Sequence, residues 1–163
     1  MARKPDLISN IYMKIGLFLA ILLSAILIFS PGPLHAIESL VVFQRDNGGE
    51  LCRFTVELAR SPQDMERGLM FRKSLGVRAG MLFIFREDAP RYFWMKNTLI
   101  PLDLIFLDSR IKVVHIHAGA RPLDESLIPS NAPAKYVLEV NAGKAADCSI
   151  VTGTKGRLLN VSP

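Results

Sequence analysis

Two carboxylates stand out as groups able to do chemistry. Asp103 sits inside Leu102-Asp103-Leu104-Ile105-Phe106-Leu107, and Glu139 inside Tyr136-Val137-Leu138-Glu139-Val140. An acid buried among such neighbours is costly unless something hydrogen-bonds to it. For Asp103 the available partners are the side chains of Asn97, Thr98, Lys96 and Arg67, or backbone N–H groups. If both acids reach one pocket walled by Trp94, Met95 and Met70, their environments can divide acid and base roles between them. The alternative is structural: Asp103 ties down the loop from Lys96 to Pro101, and Glu139 pairs at a barrel end.

The remaining reactive side chains carry less. His115 and His117 share one strand face at i and i+2, so their rings could converge on a metal, but two ligands make an incomplete site. Met65, Met70, Met81 and Met95 could form a soft copper site, although filling irregular core gaps explains them better. No Ser lies in a GxSxG elbow, and neither a GxGxxG nor a Walker loop is present. No metal and no cofactor is therefore expected. Cys52 and Cys148 lack CxxC partners. They form either one disulfide closing a loop of about a hundred residues, stabilising by ~4 kcal/mol, or two buried free thiols.

The elements that must position these groups are short. Leu40–Gln44 and Cys52–Leu58 flank Asp46-Asn47-Gly48-Gly49, a hairpin signal. Cys52, Phe54, Val56 and Leu58 alternate with Arg53, Thr55 and Glu57, which places Cys52 on the core side. Ser61-Pro62-Gln63-Asp64 starts a helix expected to stop near Arg72–Leu75. Met81–Phe85 reads as a strand. Leu102–Leu107, apolar on both faces around Asp103, reads as a central one. Lys112–Ala118 alternates. Gly119–Lys135 has three prolines and reads as a long surface loop. Tyr136–Asn141 returns as a strand, Ala142–Ile150 as a short helix and Arg157–Val161 as a last strand. The fold class expected is mostly β with one or two short helices (α+β), a compact antiparallel barrel-like sheet.

Five blocks recur in order: Arg67-Gly68-Leu69-Met70, Gly80-Met81-Leu82-Phe83, Trp94-Met95-Lys96-Asn97-Thr98, Pro101-Leu102-Asp103-Leu104-Ile105-Phe106, and Leu138-Glu139-Val140 followed by Ala142-Gly143. Together they resemble the domain of unknown function 192 family over roughly Phe54 to Leu159. The resemblance implies a small β-rich, barrel-like single domain, frequently behind a signal peptide, and implies no established activity. The cysteine pair is not part of the pattern.

The chain has 163 residues, half of them hydrophobic, and a formal charge of +5. Arg3, Lys4 and Lys14 precede the uncharged run Ile15–Phe29. Pro31-Gly32-Pro33 and Leu34-His35-Ala36 follow, the plan of a signal peptide cleaved after Ala36. The 15-residue run is shorter than the ~20 residues that span a bilayer, and an uncleaved N-terminal hydrophobic leader helix acting as an anchor is the alternative. Either places residues 37–163, one β-rich domain, outside the cytoplasm, periplasmic or extracellular, with the membrane touched only through the N-terminal segment. Gly49-Glu50-Leu51 before Cys52 is no lipobox. The leader carries a net +2 from Arg3, Lys4, Lys14 and Asp6, so +3 remains on the rest. Its cations are scattered, which gives no footprint for nucleic acid.

These readings converge on an exported domain that binds a small polar molecule or an envelope component. Its expected site is a mouth formed by Arg67, Trp94, Asn97, Asp103 and Glu139, with Arg67 and Asn97 donating, Trp94 stacking and the carboxylates accepting. A hydrolase or transferase using Asp103 with Glu139 is the catalytic alternative, and a structural or interaction module the third.

Overall fold

The computed structural model describes residues 38–161. The leader helix and the cleavage point after Ala36 lie outside the described residues. Strand β1 (Leu40–Gln44) and β2 (Glu50–Ala59) form the expected hairpin, with Gly48 at φ 82° completing its turn. Helix α1 (Pro62–Arg67) follows, then β3 (Ala79–Ala89), β4 (Tyr92–Phe93), β5 (Leu102–Leu107), β6 (Val113–Ala120), β7 (Ile128–Pro129), β8 (Ala134–Asn141), α2 (Lys144–Asp147) and β9 (Lys155–Leu159).

Seven strands make one sheet in the order β6-β5-β8-β3-β2-β1-β9, and β4 pairs with β7 in a separate ribbon. The sheet curls as a half-barrel, and its two edge strands approach each other at one end. There Lys112 bridges to Lys155, the Val113 N–H donates to the Thr154 carbonyl at 2.9 Å, and the Gly156 N–H donates to the Ile111 carbonyl at 2.8 Å. Pairing at that end shields part of two edges that would otherwise present free N–H and C=O groups.

Three expectations need correction. The sheet is not wholly antiparallel: β2 and β3 run parallel. Nineteen residues, α1 among them, separate those strands, and a parallel pair needs a crossover of that order. The first helix ends at Arg67 rather than near 72–75, because Gly68 turns at φ 46°, ψ −133°, a conformation outside the helical region and open chiefly to glycine. The 119–135 segment is not all loop. Strand β6 runs on to Ala120, and β7 pairs with β4 through Tyr92↔Pro129 and Phe93↔Ile128.

All six residues of β5 are buried, as expected for a strand covered on both faces. On one face Ile105 and Leu107 pack with Phe43, Phe54, Leu82 and Leu138. On the other, Leu104 and Phe106 pack with Met81, Phe83 and Val137. Cys52 and Cys148 are joined in a disulfide with Cα atoms 5.7 Å apart, so β2 is tied covalently to the end of α2.

Candidate functional site

The register between β5 and β8 decides where the two acids go. Asp103 lies opposite Val140, and Leu104 opposite Glu139. Directly paired residues share a face and neighbours along a strand alternate. Glu139 therefore shares the face of Leu104 and of Met81, its partner on β3, while Asp103 points to the other side. The expected convergence of the two carboxyls on one pocket does not occur.

Asp103 is fully buried and fully occupied. Its Oδ1 accepts from the Gly119 N–H at 2.9 Å, and its Oδ2 accepts from the Ala145 N–H at 2.9 Å. Gly119, at φ 66°, sits where β6 shifts register against Leu102–Leu104, which turns its N–H toward the acid. Ala145 is in the first turn of α2, whose N-cap, Gly143, has no side chain to offer. Asp103 thus caps a helix from a neighbouring strand. The partners are backbone N–H groups rather than Asn97, Thr98, Lys96 or Arg67.

Glu139 is the opposite case. It is 5% exposed, and burial alone pushes its carboxyl up to about 8. Neither carboxyl oxygen hydrogen-bonds to a described residue. Instead it borders a cavity of about 280 Å³. Phe83, Phe85 and Phe93 form the aromatic wall, Leu69 and Met70 the apolar one, and Arg67, Trp94 and Lys96 the mouth. Phe93 stands edge-on to Phe83 at 5.0 Å and to Phe85 at 6.5 Å, arrangements that hold aromatic rings in place. Trp94 is 42% exposed, with the Lys96 ammonium 5.1 Å from its ring centre.

Two segments close over the sheet to make this cavity. In the first, Ser61 caps α1 by accepting from the Asp64 N–H at 3.1 Å, and the Gly68 N–H returns to the Asp64 carbonyl at 2.8 Å. A β-carbon on Gly68 would come 3.2 Å from Phe83 Cζ and 3.9 Å from Glu139 Oε2, so glycine here lets the turn approach the acid closely. The second is the 94–98 loop, in which Met95 is buried and Asn97 adopts φ 53°. The Phe71 N–H donates to the Asn97 carbonyl at 2.8 Å, stitching the two segments together. The Asn97 side chain donates to Met70 Sδ at 3.8 Å and lines an adjoining recess of about 340 Å³ shared with Arg67, Trp94 and Lys96.

Of the five expected site residues, Arg67, Trp94 and Glu139 meet in the cavity, Asn97 lies next door and Asp103 lies elsewhere. The aromatic wall of Phe83 and Phe85 was not anticipated. Its signal was the i, i+2 spacing of Met81, Phe83 and Phe85, which puts all three on one face. His115 and His117 have different surroundings. Burial, with a smaller contribution from His117, pushes the His115 imidazole down. The neutral ring stacks on Phe106 at 5.8 Å, with Nε2 3.1 Å from Asn131 Nδ2. His117 instead lines a separate cavity of about 290 Å³ with Gly119 and Asp124. Among the described residues no three His, Cys, Asp or Glu side chains gather to hold a metal ion.

The family model for domain of unknown function 192, described as an uncharacterized ACR, matches residues 43–158. A crystal structure from Sinorhizobium meliloti, provisionally described as a transcription regulator, superimposes with a TM-score of 0.71 at 38% identity, covering 74% of this chain and 93% of that one. A protein of unknown function from Novosphingobium aromaticivorans gives 0.68 at 38% identity, covering 77% and 89%. Among curated proteins none matches.

Proposed function

The chain belongs to the domain of unknown function 192 family, and from that premise we propose that it is an exported binding domain for a small ligand, seated in the cavity over Glu139. One observation carries this reading: a carboxyl 5% exposed, without a hydrogen-bond partner among the described residues, faces an open volume of about 280 Å³. Buried polar groups ordinarily have partners, and a ligand would supply this one. The volume is near the lower end for small-molecule sites, and its mixture of apolar wall with few polar groups suits one. Arg67 and Lys96 would meet polar or anionic atoms at the mouth, Trp94 would cover the ligand, and Asn97 would donate from the adjoining recess. Export is supported by the basic, apolar and small-residue plan of residues 1–36. A two-carboxylate hydrolase is not proposed, because Asp103 and Glu139 face opposite sides of the sheet.

Trp94 is the sole tryptophan, so its fluorescence reports on the mouth. A panel of small metabolites differing in charge, titrated into the purified protein, is expected to contain at least one that changes Trp94 emission and raises Tm, with the rise in Tm diminished in Glu139→Gln. No response to any compound, or an equal rise in Tm in the variant, would overturn the reading.

A further inference from the structure

We propose that the cavity selects an organic ammonium ion, its cationic head on the Glu139 carboxylate and against the aromatic wall; the inference rests on the cavity being a ligand site. Three features of the floor point to a cation. Glu139 is the acidic group at the bottom, and among the described residues no arginine or lysine pairs with it: its strand partners are Met81 and Leu104, with Phe83 beside them. Phe83, Phe85, Phe93 and Trp94 surround the space, and aromatic faces joined to a carboxylate form the usual recognition site for substituted ammonium ions. The wall already shows this affinity, since the Arg91 guanidinium lies 3.9 Å from the Phe85 ring centre and Lys96 lies over Trp94.

The charged groups around the cavity are Glu66 and Arg67 from α1, Lys96 from the 94–98 loop and Arg91 against the Phe85 ring, with His117 one strand beyond Leu104. Arg67, Lys96 and Arg91 oppose a cation; Glu66 offsets one of the first two, and Glu87 and Asp88 offset Arg91. Arg67 and Lys96 sit at the mouth, where solvent and salt screen them, whereas a charge pair at the floor is closer together and less screened. The nearer, less screened partner wins. Binding moves one proton: the Glu139 carboxylic acid releases it to solvent, and the resulting carboxylate pairs with the ammonium. With the acid pushed up to about 8, most molecules hold that proton at pH 7 before the ligand arrives.

The test uses three molecules of nearly one shape: choline, its neutral carbon isostere 3,3-dimethyl-1-butanol, and the anion 3,3-dimethylbutyrate. Calorimetry on the purified protein at pH 7, in buffers of different ionisation enthalpy, is expected to show choline binding at least ~10-fold tighter than either isostere with release of close to one proton. Choline affinity should rise almost 10-fold per pH unit below the acid's titration and level off above it, a profile that needs no variant. Glu139→Gln should abolish the proton release and that slope. If the alcohol or the butyrate binds as tightly as choline, or if choline binds without proton release, the ammonium inference falls and the cavity reading stands. If none of the three binds and a wider panel is equally silent, both fall.

Discussion

Asp103 and Glu139 are one chemical type handled in two ways, and the difference is where each finds its hydrogen-bond partners. Asp103 has an N–H on each oxygen. Asp103→Asn keeps the shape but turns one acceptor into a donor facing Gly119 or Ala145. Leaving such a buried N–H unsatisfied costs roughly 1–3 kcal/mol, so urea unfolding should show a loss of that size. Glu139 has no such support and is held protonated by burial. Its folded value of about 8 lies above the ordinary 4.5, so the native state keeps a proton that the unfolded chain releases. Stability from this group is complete below pH 4.5 and is lost as pH rises toward 8. At 1.36 kcal/mol per unit the loss is at most about 5 kcal/mol. Glu139→Gln should therefore gain on the wild type progressively from pH 5 to 8.5, read as the difference between their denaturation midpoints. A constant difference across that range would show that the acid does not titrate as its burial requires.

At the scale of elements, the alternation within β5 shows that Asp103 must be buried and partnered, and Glu139 likewise stands out against Leu138 and Val140. Whether the two meet is a property of register, which neither segment contains alone. A slip of one residue between β5 and β8 would flip one acid to the other's face. The parallel β2–β3 pairing was hidden for a similar reason, since a six-residue helix in the connection gives a weak signal for a crossover. Gly68 was legible only as part of a motif. Its role is the close approach of the α1 turn to Phe83 and Glu139. Gly68→Ala adds a methyl 3.2 Å from the Phe83 ring at a φ that disfavours a side chain. A loss of about 1–3 kcal/mol is expected, measurable by urea titration, together with weaker quenching of Trp94 by any cavity ligand. Unchanged stability would mean that the turn relaxes away from the sheet.

For the whole molecule, the notable feature is how α2 is fixed. It has four residues and only Ala145 buried, too little to hold its own place. Two devices compensate: Asp103 binds its first turn from β5, and the disulfide binds Cys148 at its end to Cys52 on β2. The bridge spans 96 positions of sequence, so in the chain-entropy model its removal destabilises by roughly 4 kcal/mol. Replacing both cysteines with serine should lower stability by about that amount under oxidising conditions, and reduction of the wild type should do the same. Because both devices restrain one short segment, their effects should not add. With the bridge gone α2 can leave its place, and Asp103 then has less structure to hold. A double-mutant cycle of Asp103→Asn against the cysteine pair should give a coupling of ~1 kcal/mol, within the range for residues that share a partner. The same cycle with Glu139→Gln, whose acid lies on the opposite sheet face, should be additive to within ~0.5 kcal/mol. Equal coupling in both cycles would mean that α2 is not the shared element and that the sheet responds to either change as one body.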